Sequence, residues 1–345
     1  MAVYTTIDDA GIYFNTVLYT GNVSTQSITG VGFQPDWLWI KRRSSSQAPC
    51  IEDAIRGAGY SVRSSGTDAE QYRSDDITSF DSDGFSLGAN AECNGDGTTN
   101  VAWNWKANGA GSANTDGSIS STVSANTTTG FSIVKWTGDD STVTIGHGLG
   151  AVPKMIITKR YDASDNWYTY HHSLGNTKYM LLEATDAEAT SNGAWDDTSP
   201  TSSVFTKDSA TNIDTGTYIA YCFAEKQGYS KFGSYTGNGN ADGSFVYTGF
   251  RPAFVMLKYT SPGGGVGSWQ MYDNKRKGYN TENDYLQANT TSSENSDTDQ
   301  IDLLSNGFKC KATGSDSNED GSTYVYMAFA ESPFVNSEGV PTNAR

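Results

Sequence analysis

Two lysines each precede an aspartate that lies on the next predicted strand. Such a pair could supply an acid and a base. Lys41 precedes Asp53, and Lys258 precedes Asp273, with the aspartate on the next segment of strand character. A lysine beside a carboxylate can transfer protons to a substrate. A lysine at a strand end more often holds its amine at the sheet rim beside a structural partner. Because the pair occurs twice, we interpret it as part of the fold and predict no catalytic residue.

The three histidines give little support to a hydrolase or to a metal site. His171 stands where an aspartate is expected after a third lysine, Lys159. His172 is its neighbour on a predicted strand, so the two rings point to opposite faces and cannot bind one ion together. His147 lies in the turn GHGLG, which has neither the serine elbow of α/β-hydrolases nor the lysine of a phosphate-binding loop.

The four cysteines, Cys50, Cys93, Cys222 and Cys310, lack the spacing of a metal-binding motif. None forms a CxxC pair, and none has a histidine at ligand spacing. Cys222 and Cys310 lie within apolar runs, which favours buried free thiols. The sequence therefore predicts neither a metal ion nor a cofactor.

One loop combines an aromatic ring with carboxylates, as glycan-binding loops do. Trp195, Asp196 and Asp197 occur together in GAWDDTSP, and the other two copies of the repeat described below have no tryptophan in this loop. An exposed ring could stack on a sugar while the carboxylates bind its hydroxyl groups. The alternative is that Trp195 packs inside the sheets, as buried tryptophans commonly do.

A second loop matches the opening of a calcium-binding loop. Asp316, Asn318 and Asp320 alternate before a glycine in DSNEDG. The twelfth position would be Met327 instead of glutamate, so the loop is not an EF-hand. We interpret it as an acidic turn, with a weak calcium site at the loop tip as the alternative.

These residues belong to a unit that occurs three times along the chain. The motif YTGN at 19–22 returns as WTGD at 136–139 and as YTGN at 235–238. Each copy is followed after 16 or 17 residues by a proline, and a lysine stands six residues after each proline. We interpret the motif as the end of an opening strand followed by a hairpin turn.

The repeat divides the chain into three predicted domains with short connecting and terminal segments. The predicted boundaries are an N-terminal arm at 1–13, repeat 1 at 14–110, a linker at 111–127, repeat 2 at 128–227, repeat 3 at 228–333 and a C-terminal arm at 334–345. The linker is rich in glycine, serine and threonine, a composition typical of flexible connections.

Each copy predicts about eight short strands separated by glycine-rich turns. In the third copy the strands are expected at 230–235, 244–248, 253–259, 268–273, 284–288, 300–304, 307–311 and 323–330. This pattern predicts an all-β fold of three tandem antiparallel β-sandwich units, similar to jelly rolls.

The strand that follows the first proline is apolar on both faces. Trp37 and Trp39 lie on one face, and Leu38 and Ile40 lie on the other. A strand of this kind must be covered on both sides. We expect a second sheet to cover one face and a neighbouring unit or subunit to cover the other.

Charge and hydropathy exclude several classes of protein. The net charge is −16, which disfavours binding to the phosphate backbone of nucleic acids. No apolar run approaches the roughly 18 residues of a membrane span, and the N-terminus lacks the pattern of a signal peptide. We therefore expect no membrane insertion, and synthesis in the cytoplasm.

The repeat motifs resemble those of a family of marine bacteriophage virion proteins. The resemblance extends from about residue 14 to residue 333. It is carried by YTGNVSTQSITGVGFQPDWLWIK, SFDSDGFSLG, HGLGAVPKMIITK, TYIAYCFAEKQGYSKFGSYTGNG and GFRPAFVMLK. Members of that family are described as tail-fibre-like or as uncharacterised structural proteins. The resemblance implies a place in the virion, other virion proteins as partners, and no catalytic residues.

We therefore expect a non-enzymatic virion structural protein of the tail-fibre or tail-tip type, which attaches the particle to a host-surface polysaccharide. A capsid decoration or head-fibre protein that binds other virion subunits is the alternative. A glycan-degrading enzyme is a further alternative, but it needs two carboxylates in one cleft, and no spacing here requires them. A homo-oligomer is expected, with a trimer suggested by analogy with fibres.

Overall fold

The computed structural model describes residues 4–212, 215–261, 267–277, 284–296 and 299–342. Their regular secondary structure consists almost entirely of short strands, and the strands within the sheets pair in an antiparallel manner. The helical elements are one turn of α-helix, α1 at Ala91–Asn94, and 3-10 turns at Ala10–Ile12 and Ser209–Thr211. The prediction of an all-β, antiparallel protein is confirmed.

The strands fall into three segments of the chain. The first segment contains β1 Phe14–Thr20, β2 Gln26–Thr29, β3 Trp37–Arg42, β4 Cys50–Asp53, β5 Tyr60–Ser61, β6 Gln71–Tyr72, β7 Ile77–Asp81, β8 Gly84–Leu87 and β9 Thr99–Trp105. The middle segment contains β10 Ser112–Asn114, β11 Ser121–Asn126, β12 Phe131–Thr137, β13 Val143–Gly146, β14 Met155–Arg160, β15 Trp167–His171, β16 Lys178–Leu181, β17 Ala189–Thr190, β18 Val204–Lys207 and β19 Thr217–Phe223. The last segment contains β20 Ser230–Thr236, β21 Phe245–Tyr247, β22 Phe250–Tyr259, β23 Gln270–Asp273, β24 Leu286–Gln287, β25 Ile301–Leu304, β26 Gly307–Cys310 and β27 Thr323–Pro333.

Each segment forms one large sheet and one smaller sheet, the first segment adds the two-stranded β5–β6 ribbon, and the large sheets share a strand order. The shared order is β1-β9-β3-β4, β12-β19-β14-β15 and β20-β27-β22-β23. The smaller sheets are β2-β8-β7, β13-β18 and β21-β26-β25. All eight strands expected in the third copy are present, with ends shifted by a few residues.

The predicted linker at 111–127 is largely structured, so that prediction is wrong. Strands β10 and β11 lie within it and extend the middle sheet beyond β12. Val123 and Ser124 on β11 are buried. Small polar residues suggested a flexible connection, but their backbone groups pair with the edge of a sheet and are ordered by it.

The YTGN motif does not form a hairpin, because the strands on its two sides belong to different sheets. The Gly21-Asn22 step carries the chain from β1 in the large sheet to β2 in the smaller one. A Cβ atom at Gly21 would lie 2.2 Å from the carbonyl oxygen of Gly95, so only glycine fits. Asn22 then contacts the buried Asn94, whose Oδ1 accepts from the Asn22 backbone N–H at 2.9 Å. The motif is a crossing point between sheets.

The large sheets pack against one another around a central cluster of apolar residues. Trp37 and Trp39 of β3 point into this central cluster, whereas Leu38 and Ile40 face the interior between the sheets of their own segment. All four side chains are buried. The prediction that both faces of this strand are covered is confirmed, and the outer cover is the other two segments.

Aromatic rings join every pair of large sheets across the central cluster. The Trp37 ring stacks on Tyr221 of the middle segment at 4.5 Å between centroids. Trp105 meets Phe254 of the last segment edge-on at 5.7 Å. Phe223 and Phe329 connect the middle and last segments at 6.0 Å. The core is therefore shared by the whole chain.

The described parts of the two terminal arms lie against the last segment and against each other. The Tyr4 hydroxyl donates to the carbonyl oxygen of Gly249 at 2.6 Å. The carboxylate of Asp8 accepts from the backbone N–H of Ser337 at 2.6 Å and from its hydroxyl. These contacts hold both arms on the body of the protein.

Candidate functional site

Asp53 is the centre of a buried ion-pair network at the end of β4. Its carboxylate accepts from the Arg56 Nε at 2.6 Å and from the Tyr221 hydroxyl at 2.9 Å. The same guanidinium donates to Glu70 at 2.9 Å. Tyr221 lies on β19 of the middle segment, so this network joins two segments.

Asp273 repeats the arrangement at the end of β23. It accepts from the Arg276 Nε at 2.6 Å and from the indole N–H of Trp103 at 3.0 Å. Arg276 also donates to Glu294 at 3.0 Å. Trp103 lies on β9, so this second network joins the last segment to the first.

His171 occupies the matching position in the middle segment with different chemistry. Its Nδ1 accepts from the backbone N–H of Ser173 at 3.3 Å, so the hydrogen lies on Nε2, which donates to the carbonyl oxygen of Tyr326 at 3.2 Å. Burial lowers the pKa of His171 to about 3, which keeps the ring neutral. Leu174 replaces the arginine and packs on the central cluster.

These three contacts join the first segment to the middle, the middle to the last, and the last to the first. In each contact, the residue is the last one of β4, β15 or β23, the strand that pairs with β3, β14 or β22. Its partner lies on the last strand of the next segment. The recurring acidic and histidine positions are therefore contacts between segments.

The expected pairing of each lysine with its aspartate is wrong. Asp53 lies opposite Trp37 in the β3–β4 ladder, whereas Lys41 lies four residues further along β3, about 13 Å away at about 3.3 Å per residue. The same register separates Lys258 from Asp273. Sequence order suggested the pair, but antiparallel register places its members at opposite ends of the strands.

Each of these lysines instead donates to one backbone carbonyl of its own segment and one of another segment. The Lys41 amine donates to Gln47 at 2.8 Å and to Thr290 of the last segment at 2.6 Å. Lys159 reaches Asp165 at 2.6 Å and Thr67 of the first segment at 2.8 Å, and Lys258 reaches Gly267 at 2.6 Å and Ala184 of the middle segment at 3.2 Å. Burial lowers the lysine pKa to about 7 in Lys41 and Lys258 and to about 8 in Lys159. The lysines are therefore buried bridges, not rim residues.

The other two histidines also contact backbone carbonyls. His147 Nε2 lies 3.2 Å from the carbonyl oxygen of Thr201, and its Nδ1 accepts from the backbone N–H of Leu149. His172 Nε2 lies 3.1 Å from the carbonyl oxygen of Phe232. Burial lowers the pKa of both rings.

Trp195, the candidate for sugar stacking, is buried and does not present its ring to solvent. It is 1% exposed and meets Tyr170 edge-on at 5.7 Å. The Lys207 amine lies 4.7 Å from the Trp195 ring centroid and 4.8 Å from that of Tyr168. Trp195 is therefore the packing residue of the alternative interpretation.

The two aspartates that follow Trp195 are exposed. Asp196 and Asp197 adopt φ angles of 50° and 47°, in the left-handed region that short polar residues tolerate at turns. With the indole turned inward, the three residues do not form one exposed surface.

The weak calcium candidates are divided between different roles. Asn318 is fully buried, and its amide nitrogen donates to the Asn238 side chain at 2.9 Å and to the carbonyl oxygens of Asn240 and Ala312. Its Oδ1 accepts from the backbone N–H of Asn238 at 3.0 Å. Asn318 thus contacts the motif at 235–238 as Asn94 contacts the motif at 19–22. Its side-chain oxygen already accepts a hydrogen bond from Asn238. Asp316 and Asp320 lie near Asn318 on the same turn, and Asp316 is partly exposed whereas Asp320 is exposed.

A buried cluster that the spacing of the cysteines did not predict lies inside the first segment. Cys50, Asp76 and Cys93 each offer a ligand atom, and these atoms lie within 4.8 Å of one another. All three residues are buried, and burial raises the pKa of Asp76. They come from β4, the turn before β7 and α1, so no local motif could reveal them.

A pair of exposed tyrosines was also missed. Tyr60 and Tyr72 face each other on the β5–β6 ribbon with ring centroids 4.7 Å apart. Their exposed fractions are 37% and 62%. Each strand of this ribbon has only two residues, so the sequence carried no periodic signal for the pair.

Comparison with known proteins identifies the family and no individual relative. Within the described residues, no helix is long and apolar enough to cross a bilayer. No curated protein and no solved structure matches the chain. A family model described as a domain of unknown function, DUF7483, matches residues 9–333, and the chain belongs to that family.

Proposed function

We propose that the protein is a non-enzymatic structural component of a bacteriophage particle, built of three tandem β-sandwich units around one shared core. Its role is to attach the particle to a host-surface polysaccharide, as a tail-fibre or tail-tip component. The repeat motifs support the phage origin by resemblance. The recurring Lys, Asp and His positions support a scaffold, because their polar atoms contact other segments.

The exposed tyrosine pair on the β5–β6 ribbon is the observation that carries the attachment proposal. Aromatic rings that are held in place and open to solvent are suited to stacking on the apolar face of a sugar. Gln71 and Arg73, on either side of Tyr72, bond to each other, and Arg73 also pairs with Glu92, so the sugar contact rests on the two rings. This surface replaces Trp195 as the candidate glycan contact.

Binding of the purified protein to host cells and to extracted host polysaccharide tests this proposal. The double substitution Tyr60→Ala/Tyr72→Ala should abolish binding while leaving the circular dichroism spectrum unchanged. Tyr247→Ala, which removes an exposed tyrosine from another segment, is the matched control and should bind normally. Equal binding by all three proteins, or shortened polysaccharide chains after incubation, would contradict the proposal.

A capsid decoration role is the second candidate, and one surface favours it. Phe245 and Tyr247 project from the same face of β21 and are 49% and 53% exposed. β21 is an edge strand of its sheet, and Tyr4 of the N-terminal arm is anchored beside it at Gly249. Electron microscopy of the intact particle separates the two roles, since density on the capsid shell favours decoration and density at the tail favours attachment.

A further inference from the structure

The cluster formed by Cys50, Asp76 and Cys93 brings two thiols and a carboxylate together in the interior of the first segment. Their exposed fractions are 7%, 1% and 1%, and one ligand atom from each lies within 4.8 Å of the others. Three donors of these types converging on one point are the donor set of a thiolate-bound metal ion.

Asp76 supplies an independent indication that a cation belongs here. Among the described residues, no N–H or O–H donor meets either of its carboxylate oxygens, and the weakly donating thiol of Cys93 is the group beside them. A buried carboxylate with so weak a partner is costly, and buried charges are normally paired or bound to metal. Glu52 lies two residues after Cys50, on the same face of β4, and its side chain is also buried.

We propose that Cys50, Cys93 and Asp76 bind a divalent zinc ion in a closed structural site. Glu52 or a water molecule completes a tetrahedral set. On binding, the two thiols release their protons to solvent and bind as thiolates, so no redox step is involved. Two thiolates and one carboxylate carry three negative charges, of which the ion neutralises two.

The site would tie together three parts of the first segment that strand pairing does not join directly. Cys50 lies on the large sheet, and Asp76 lies in the turn that leads into the smaller sheet. Cys93 precedes Asn94, the residue that holds the first YTGN crossing. A bound ion would therefore fix the crossing between the two sheets.

The matching interior positions of the other segments contain different groups. Cys50 lies three residues before the contact residue Asp53. The residues three positions before His171 and Asp273 are Tyr168 and Gln270. Tyr168 contacts the amine of Lys207, and Gln270 lies beside the carboxylate of Asp316. Among the described residues, a cluster of this kind is therefore found in the first segment alone.

A disulfide between Cys50 and Cys93 is the competing use of the two thiols. It would leave the carboxylate of Asp76 buried without a partner, whereas a zinc ion satisfies all three residues at once. This difference favours the metal ion.

Titration of the full-length protein with Co²⁺, after purification under reducing conditions and removal of metal with a chelator, tests the site. We expect thiolate-to-cobalt charge-transfer absorption together with the visible bands of a tetrahedral ion, saturating at one equivalent and displaced by Zn²⁺. We also expect the protein purified without chelator to contain one zinc per chain, and chelation to lower its melting temperature.

Matched variants keep the test decisive. Cys50→Ser and Cys93→Ser should abolish the charge-transfer band, and Asp76→Asn should weaken Zn²⁺ binding at least tenfold, whereas Cys222→Ser and Cys310→Ser should leave both unchanged. The near-ultraviolet circular dichroism spectrum checks that each variant is folded. The wild-type protein decides the matter if a variant fails to fold. Absence of the cobalt bands in wild-type protein, or a Cys50–Cys93 disulfide in protein purified without reductant together with no bound zinc, would overturn the proposal.

Discussion

The buried lysine amines among the described residues have two kinds of surroundings. Lys41, Lys159 and Lys258 each donate to backbone carbonyls of two segments. Lys207 is equally buried, but among the described residues its amine meets aromatic rings and no acceptor. Its charged form is therefore stabilised only by the ring faces and by distant carboxylates.

Lys207 should make the stability of the protein depend on pH. Burial lowers its pKa to about 7, against the opposing effect of Asp165 and Asp208, whereas the unfolded chain keeps the ordinary value of 10.5. Between these values the unfolded state binds more protons, so the free energy of unfolding rises with pH, by at most about 1.4 kcal/mol per pH unit. Lys207→Met should remove the share of this rise that Lys207 contributes and leave the share of Lys41, Lys159 and Lys258. Urea unfolding at about pH 6, 7.5 and 9 measures the difference between the two proteins.

The control for this prediction is Lys309→Met, which removes a lysine from a surface pair with Asp242. Its unfolding free energy should follow the pH dependence of the wild-type protein. Parallel curves for the wild type and Lys207→Met would show that the amine is not held in a strongly desolvated state.

At the scale of strands, the recurring Asp and His residues set how the segments dock. Asp53 at the end of β4 contacts Tyr221 on β19, and Asp273 at the end of β23 contacts Trp103 on β9. These hydrogen bonds involve buried charged acceptors, which are stronger than neutral ones and costly to leave unmade.

A double-mutant cycle on Asp53→Asn and Tyr221→Phe should reveal direct coupling between these strands. Because the two side chains share a hydrogen bond of 2.9 Å, we expect a coupling energy of about 1–3 kcal/mol in the free energy of unfolding. The cycle that combines Asp53→Asn with Trp103→Phe is the control and should be additive, since Trp103 bonds to Asp273. Additivity in both cycles would mean that the hydroxyl does not stabilise the carboxylate.

Strand positions could be predicted from the sequence, whereas contacts between strands of different segments could not. Alternation and glycine-rich turns located all eight strands of the third copy, because both signals are local. The pairing of Lys258 with Asp273 failed because it depends on antiparallel register. The cluster of Cys50, Asp76 and Cys93 was missed because its residues are neighbours only after both sheets have formed.

At the scale of the whole molecule, the three large sheets bury their outer faces against one another. The inward side chains of β3 and β9 include four tryptophans, and Trp37 and Trp105 contact rings of both other segments. The buried lysines and the ion-pair networks described above also join each segment to the other two. These faces are therefore covered within one chain, so an association of chains would use a different surface.

A shared core makes the whole chain one cooperative unit, so a single segment should not fold alone. Residues 128–227 expressed by themselves would expose Phe131, Tyr221 and Phe223, which the other segments cover in the full chain. We expect this fragment to bind a hydrophobic dye and to lack a near-ultraviolet circular dichroism spectrum. The full chain should unfold in one calorimetric transition whose van't Hoff and calorimetric enthalpies agree. Three separate transitions, or a fragment with a cooperative transition of its own, would show instead that the sandwich interiors are sufficient for folding and that the central cluster only docks finished units.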